Sequence, residues 1–396
     1  MNRFYLIAAL YMLFSVSALP QGRSKQSIPV LKLEEMMKVK KTVNLSDIAE
    51  SIEYVRLELN KDAVICGNPS ILLTSKYIFT RCGSVLQFGR DGKFIRRVGT
   101  QGKGPREYVF AYHVSVNEKA EQVIVHSANK ISIYGFNGTF VREIPIKAGY
   151  WKIESLNNGN YISWKNVAEG GEDNVFAFLD PQGKELQGVK NHLKWAAREM
   201  SFSMGWTNYN EFYDCNGKKF FKDMYTDTIY TQNEKNRIVP AMYLDLGKYK
   251  IPDERRPSFI TDRKQVKTLM QGYLWGNVIE SDKYRLINAE GYSEDTKLLL
   301  MMDKAKNTSV LVSDKKDKYA GFVNDIDGGI DFWPRHIYAD KWAYTIISAS
   351  DFIKFSTEKL KAGKTVKSPE RSKQLKSIVE NMSEEDNQVI VIVKLK

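Results

Sequence analysis

One pattern recurs along this chain at a spacing that few folds tolerate. Setting LQFGRDGKFIRRV (86–98) over SIYGFNGTFVREI (132–144) aligns Gly89 with Gly135, Gly92 with Gly138, Phe94 with Phe140 and Arg96 with Arg142, an offset of 46 residues. A third copy, FAFLDPQGKELQGV (176–189), places Gly183 45 residues beyond Gly138. Each copy is an alternating apolar run, then Asp-Gly, Asn-Gly or Gln-Gly, then a second alternating run. Such dipeptides accept the positive φ of a tight hairpin turn. Looser copies follow at FYDCNGKKFFK (212–222), DTIYTQNEKNRIVPAMYLDLG (227–247) and KLLLMMDKAKNTSVLVS (297–313). Hairpins repeated at a period in the forties are the signature of four-stranded blades set radially around an axis.

Composition agrees with a β reading. Aromatic residues make up 12% of the chain, with 21 Tyr and 19 Phe, and these side chains suit pleated, half-buried surfaces. The glycine-rich stretch GTQGKGPREY (99–108) is then explained without a nucleotide. A phosphate-binding P-loop needs Gly-Lys-Ser/Thr feeding a helix, whereas Gly104 is followed by Pro105 and Arg106. Glycines permit sharp turns and Pro105 donates no ladder hydrogen bond, so the stretch reads as the link that carries one blade to the next.

FGRDGKFIRRVGTQGKGPREY followed by VIVHSANKISIYGFNGTFVREI resembles the secreted bacterial six-bladed β-propellers related to NHL-repeat propellers, in which a G-x-G-P-x-E-Y link follows the DG hairpin. The resemblance continues through YTDTIYTQ (225–232), MYLDLGKYKIP (242–252) and FVNDIDGGIDFWP (322–334). The repeats themselves count five or six hairpins; the resemblance implies six blades. The expectation is an all-β, six-bladed β-propeller with two short helical insertions. These fall at 257–276, where apolar residues recur at helical spacing, and at 368–386, where Ser368 is placed to cap and Pro369 to occupy the first helical position. The last strand, NQVIVIVKLK (387–396), is expected to pair with SIEYVRLEL (51–59), closing the ring and removing free sheet edges.

The N-terminus carries a targeting pattern. Asn2-Arg3 precedes the apolar run FYLIAALYMLF (4–14) and the small-residue site VSA (16–18), which reads as a cleavable signal peptide. The run is too short for a comfortable transmembrane helix, so no transmembrane span is expected in the mature chain. The expected organisation is a signal peptide over 1–18, an N-terminal extension over 19–50 and the propeller over 51–396, located in the periplasm or outside the cell. Of the three cysteines, Cys66 and Cys82 flank two short strand-like runs that could bring them into bridging range, but an odd total leaves buried thiols as the simpler expectation. The formal charge is +12, from 59 Lys and Arg against 47 Asp and Glu, but it is dispersed, and with export this argues against a nucleic-acid partner.

No catalytic set stands out. There is no G-x-S-x-G, no C-x-x-C and no pair among His113, His126, His192 and His336 at metal-ligand spacing. The densest polar stretch is NDIDGGIDFWPRH (324–336). Asp325, Asp327 and Asp331 are oxygen donors of the type a calcium ion uses, in a spacing that lacks the EF-hand arrangement; a structural turn and a ligand-lining loop are the other readings. Candidate ligand-binding residues are Arg106, Glu107, Tyr108, Trp206, Asn324, Asp325, Asp327, Trp333 and His336. The favoured function is a non-catalytic binding or scaffold protein for a carbohydrate, peptide or protein, without a cofactor. The alternative, a metal-dependent hydrolase or lyase of the lactonase-like propeller type, would hold a divalent cation with Asn324, Asp325, Asp327 and His336.

Overall fold

The computed structural model describes residues 28–67, 69–165, 173–192, 211–252, 267–268, 270–292 and 296–396. The chain enters through β1 (Val30–Lys32), the helical turns α1 (Leu33–Met36) and α2 (Leu45–Ile48), and β2 (Ala49–Arg56). Blade 1 is β3 (Ser70–Leu73), β4 (Tyr77–Cys82), β5 (Ser84–Gly89) and β6 (Phe94–Arg97), followed by a short parallel pair, β7 (Thr100–Gln101) and β8 (Glu107–Tyr108). Blade 2 is β9 (His113–Asn117), β10 (Gln122–Ser127), β11 (Lys130–Gly135) and β12 (Phe140–Pro145). Blade 3 is β13 (Tyr150–Ser155), β14 (Tyr161–Lys165), β15 (Asn174–Leu179) and β16 (Glu185–Lys190).

Blade 4 is β17 (Glu211–Cys215), β18 (Lys218–Lys222), β19 (Thr228–Gln232) and β20 (Ile238–Asp245). Blade 5 is β21 (Leu274–Glu280), β22 (Tyr284–Gly291), β23 (Lys297–Asp303) and β24 (Thr308–Ser313). Blade 6 begins with β25 (His336–Tyr338) and β26 (Trp342–Ile347), continues through the helices α3 (Ala349–Lys361) and α4 (Pro369–Glu380), and ends with β27 (Val389–Leu395). Each blade is a four-stranded antiparallel meander whose first strand is innermost, so the chain forms a six-bladed propeller.

The ring closes as the sequence implies. β2 supplies the outermost strand of blade 6, antiparallel to β27, with Ile52 opposite Val393 and Tyr54 opposite Val391. The stretch preceding β2 lies along the propeller. β1 adds a fifth, parallel strand to blade 4, Lys40 bridges to Leu311 on blade 5, and Asn44 bridges to Val323. Residues 30–56 are thus a strap across the outer edges of three blades.

Apolar clusters fill the spaces between successive sheets. Phe79 and Val85 of blade 1 meet Val114, Val123 and Tyr134 of blade 2, and Trp164 and Phe176 of blade 3 meet Phe221 of blade 4. Each fully buried Phe of this kind contributes about 1.5–3 kcal/mol relative to exposure. No blade buries both faces alone, which is why the repeat must be radial. Gly92, in the β5–β6 turn, shows why glycine recurs at these hairpins: its φ is +84°, and a Cβ there would lie 2.0 Å from the Arg56 carbonyl oxygen.

Of the two expected helices, the C-terminal one is present and the other is corrected only at its end. The stretch at 257–276 lies partly outside the described residues, residues 267–268 are helical, and its end is strand: Leu274, Trp275 and Gly276 open β21, which is buried along its whole length. At the C-terminal side α4 ends at Glu380, with Ser368 Oγ accepting from the Arg371 N–H and Pro369 in the first turn as expected. α3 has no counterpart among the expected helices; Ser348 caps it by accepting from the Asp351 N–H. Among the described residues, no helix is long and apolar enough to cross a membrane.

Candidate functional site

The acidic loop 324–336 closes on itself and on its neighbours. Asn324 is buried and donates from Nδ2 to Asp327 Oδ1 at 2.7 Å; the same oxygen accepts from Tyr54 Oη at 3.0 Å and from the Gly329 N–H at 3.0 Å. Asp325 accepts from the Ser46 N–H at 2.9 Å and from Ser46 Oγ at 2.6 Å, and Asp331 accepts from Lys359 Nζ at 2.6 Å. The three carboxylates therefore diverge toward the strap, β2 and α3. Burial raises the pKa of Asp327 although Gly329, Tyr54 and Asn324 favour its anion, and burial with the Asp327 charge pushes the Tyr54 phenol far up. Trp333 is buried, with the Arg335 guanidinium 5.6 Å from its ring centre. Among the described residues no three His, Cys, Asp or Glu side chains converge as a metal-binding group.

Arg106, Glu107 and Tyr108 lie in the link between blades 1 and 2. Glu107 accepts from the Gly104 N–H at 2.8 Å, leaving no space at Gly102, where a Cβ would be 2.0 Å from Glu107 Oε2. Tyr108 is fully buried; its hydroxyl donates to Val98 O at 2.9 Å and accepts from the Val85 N–H at 3.1 Å. Arg106 has an exposed side chain over Phe140, and its carbonyl accepts from Tyr134 Oη at 2.8 Å. Trp206 lies outside the described residues.

His336 opens the innermost strand of blade 6 and lines the channel. The residue is exposed overall and its ring lies 5.1 Å from the Tyr344 ring, while burial of the imidazole by surrounding protein, with lesser effects of Arg335 and Lys152, lowers its pKa to about 4. The fold brings other channel residues together that sequence reasoning missed. His113 Nε2 lies 2.8 Å from Glu154 Oε1, and Lys219 Nζ sits 3.1 Å from Glu154 Oε2 and 3.0 Å from Asp214 Oδ2. Burial alone would raise the Glu154 carboxyl, but Lys219 and His113 bring it down to about 2. Burial holds the His113 imidazole below its ordinary value in spite of Glu154. Two contacts reach past an intervening blade: Tyr338 Oη donates to Glu118 at 2.9–3.0 Å, and the Asn216 N–H donates to Asp340 at 3.1 Å.

A second group missed in the sequence is aromatic. The run VFAYHVSVN (109–117) looks like one strand, but β9 begins only at His113. Phe110 is 45% exposed and Tyr112 47%, their rings 5.5 Å apart, and Trp151 on the next blade is 42% exposed. Tyr112 and Trp151 both border the buried His126: the Tyr112 ring is 6.0 Å from its ring, and the Trp151 backbone lies beside it. The sequence signal was the unbroken apolar run between Tyr108 and His113, too long for a link that needs only to turn.

Residues 28–394 match the family described as Domain of unknown function (DUF4934). The chain belongs to that family. No curated protein matches this DUF4934 chain. Among solved structures, a Bacteroides fragilis protein described as exported aligns over 93% of this chain and 100% of its own, at 16% identity and a TM-score of 0.69. A Bacteroides caccae protein of unknown function aligns over 62% and 79% at 14% identity with a TM-score of 0.36. The virginiamycin B lyase of Staphylococcus aureus aligns over 66% and 73% at 11% identity with a TM-score of 0.37. At these identities the first likeness speaks for the fold of the DUF4934 chain alone.

Proposed function

We propose that this protein is an exported, non-catalytic binding or scaffold propeller that holds a carbohydrate, peptide or protein ligand at its channel mouth. The observation that carries the reading is the exposure of Phe110, Tyr112 and Trp151 next to the polar channel, because clustered exposed aromatics on a folded surface mark interaction sites. The paired Cys66 and Cys82, the leader pattern over 1–18 and the described export of the B. fragilis protein support export. The DG hairpins and the G-x-G-P-x-E-Y link support kinship with NHL-repeat propellers.

Two measurements test this. Cell fractionation with N-terminal sequencing is expected to find a mature chain starting near Leu19 outside the cytoplasm. A thermal-shift screen over glycans and peptides is expected to return ligands whose effect disappears in Trp151→Ala. A screen in which every shift survives that change removes the reading.

The contact between His113 and Glu154 favours a second reading, a metal-dependent hydrolase or lyase, since a carboxylate-oriented imidazole is a general-base arrangement. A stoichiometric divalent cation in purified protein, removed by chelator without unfolding, would move the assignment there.

A further inference from the structure

The chemistry of the ligand is narrowed by Arg81, an inference that rests on the binding reading above. Arg81 stands near the end of β4, and its Nη2 donates to Ser70 Oγ at 2.7 Å. Its Nε is buried with no partner, and among the described residues no carboxylate pairs with its guanidinium. Its charge is close enough to His113 to help keep that imidazole neutral. Two residues on, Gly83 lies against Phe110, so close that a Cβ would be 2.9 Å from the ring. An incompletely bonded guanidinium thus stands two residues along the chain from the glycine on which the Phe110 ring rests, within electrostatic reach of His113, the residue after Tyr112. A half-buried cation without a counter-charge is costly to keep unless an anion comes to it, and with Nε enclosed such an anion would be received by the terminal guanidinium nitrogens.

The surroundings decide which kind of anion. Peptides commonly dock by extending a sheet edge or by laying a helix into an apolar groove. Here the backbone beneath the aromatics is already paired: the Ala111 N–H donates to Gly83 O at 2.8 Å, and the Tyr112 N–H donates to His126 O at 2.9 Å. The rings are nearly half exposed instead of lining a closed groove. Rigid amphipathic rings of this kind offer flat faces at small entropic cost. The flanking link carries exposed Lys103 and Arg106, while its carboxylate, Glu107, is bonded to the Gly104 N–H.

We propose that Phe110, Tyr112 and Trp151 form a stacking platform for an acidic oligosaccharide, with Arg81 receiving a carboxylate or sulfate of the sugar chain. The fork of the guanidinium matches both anions, so sugar rings and negative charge are required together.

Titration calorimetry of the full mature chain tests this with four probes: a galacturonate hexamer, its methyl ester, a sulfated chondroitin hexasaccharide and hexaglutamate. The expected result is binding of the galacturonate or of the sulfated chain, the two distinguishing carboxylate from sulfate recognition. The methyl ester and hexaglutamate are each expected to bind at least about tenfold more weakly, the scale of one charge-assisted hydrogen bond. Trp151→Ala is expected to weaken the acid sugar about tenfold, and Arg81→Gln to make acid and ester bind alike. Arg81→Lys, which keeps the charge and loses the fork, is expected to fall between, and the melting temperature of each variant reports its folding. Equal binding of acid and ester by the parent, or tighter binding of hexaglutamate, overturns the acidic-sugar assignment while leaving the binding reading intact if Trp151→Ala still weakens binding about tenfold. Absence of binding by all four probes overturns the assignment; the binding reading falls only if the wider screen also fails.

Discussion

The bridge between Cys66 and Cys82 joins the segment that leaves β2 to the end of β4, with Cα atoms 5.9 Å apart. It lies at the seam of the ring: Cys66 O accepts from Gln388 Nε2 at 2.7 Å, and Asn387 Oδ1 accepts from the Ile65 N–H at 3.1 Å. Replacing both residues by alanine releases a loop closed over 16 residues, and chain-entropy reasoning puts the loss at about 3 kcal/mol. Unfolding entropy of about 2.1 cal/mol/K per residue sums to about 0.8 kcal/mol/K for a chain of this size, so the melting temperature should fall by about 3–4 °C. The assay is calorimetry of the double variant and of the parent with and without reductant, beside a thiol titration in denaturant. Only Cys215 is free in the structure, so an oxidised sample should release one thiol and a reduced sample three. Three thiols from protein isolated under oxidising conditions, or a variant melting with the parent, would refute the reasoning.

Other perturbations bear on separate parts of the molecule. His126 is buried, neither ring nitrogen meets a partner in hydrogen-bond geometry, and burial lowers its pKa to about 4. A depressed imidazole costs nothing above its unfolded value near 6.5 and destabilises progressively as pH falls from there to about 4, by on the order of 3 kcal/mol; His126→Phe should flatten urea-derived stability across that window. Gly92→Ala should lower stability by well over 1 kcal/mol because a Cβ would strike Arg56 O, whereas Gly217→Ala, with φ +69° and open space, should cost about 1 kcal/mol in the same denaturation series. Asp327→Ala leaves the Tyr54 hydroxyl and the Gly329 N–H without their acceptor and should cost about 2–5 kcal/mol by chemical denaturation. Millimolar calcium should leave the parent's melting curve in place, since Asp325 and Asp331 already hold Ser46 and Lys359.

The architecture was legible where local chemistry and global form coincide. Asp91-Gly92 and Asn137-Gly138 turn between the third and fourth strands of their blades, and the run from Gly99 to Tyr108 links two sheets. The looser copy at Asn216-Gly217 turns between the first and second strands of blade 4, so a turn dipeptide identifies a hairpin without saying which one. The channel group was not legible. His113 and Glu154 stand on the innermost strands of two blades and Lys219 on the second strand of a third, and nothing in their local sequence records that these strands converge near an axis. The acidic loop was conspicuous for the opposite reason: its carboxylates stand close in sequence, while Ser46, Tyr54 and Lys359, which occupy them, are remote.

The pairing of β2 with β27 has a mechanical consequence. Ala49 faces Leu395 at one end of the ladder and Arg56 faces Val389 at the other, so a pull applied between these two segments at Ala49 and Leu395 loads one rung at a time. The ring should part there like a zip under modest force, instead of resisting in shear. The strap laid over blades 4 and 5 would have to be peeled away before tension from upstream reaches that first rung.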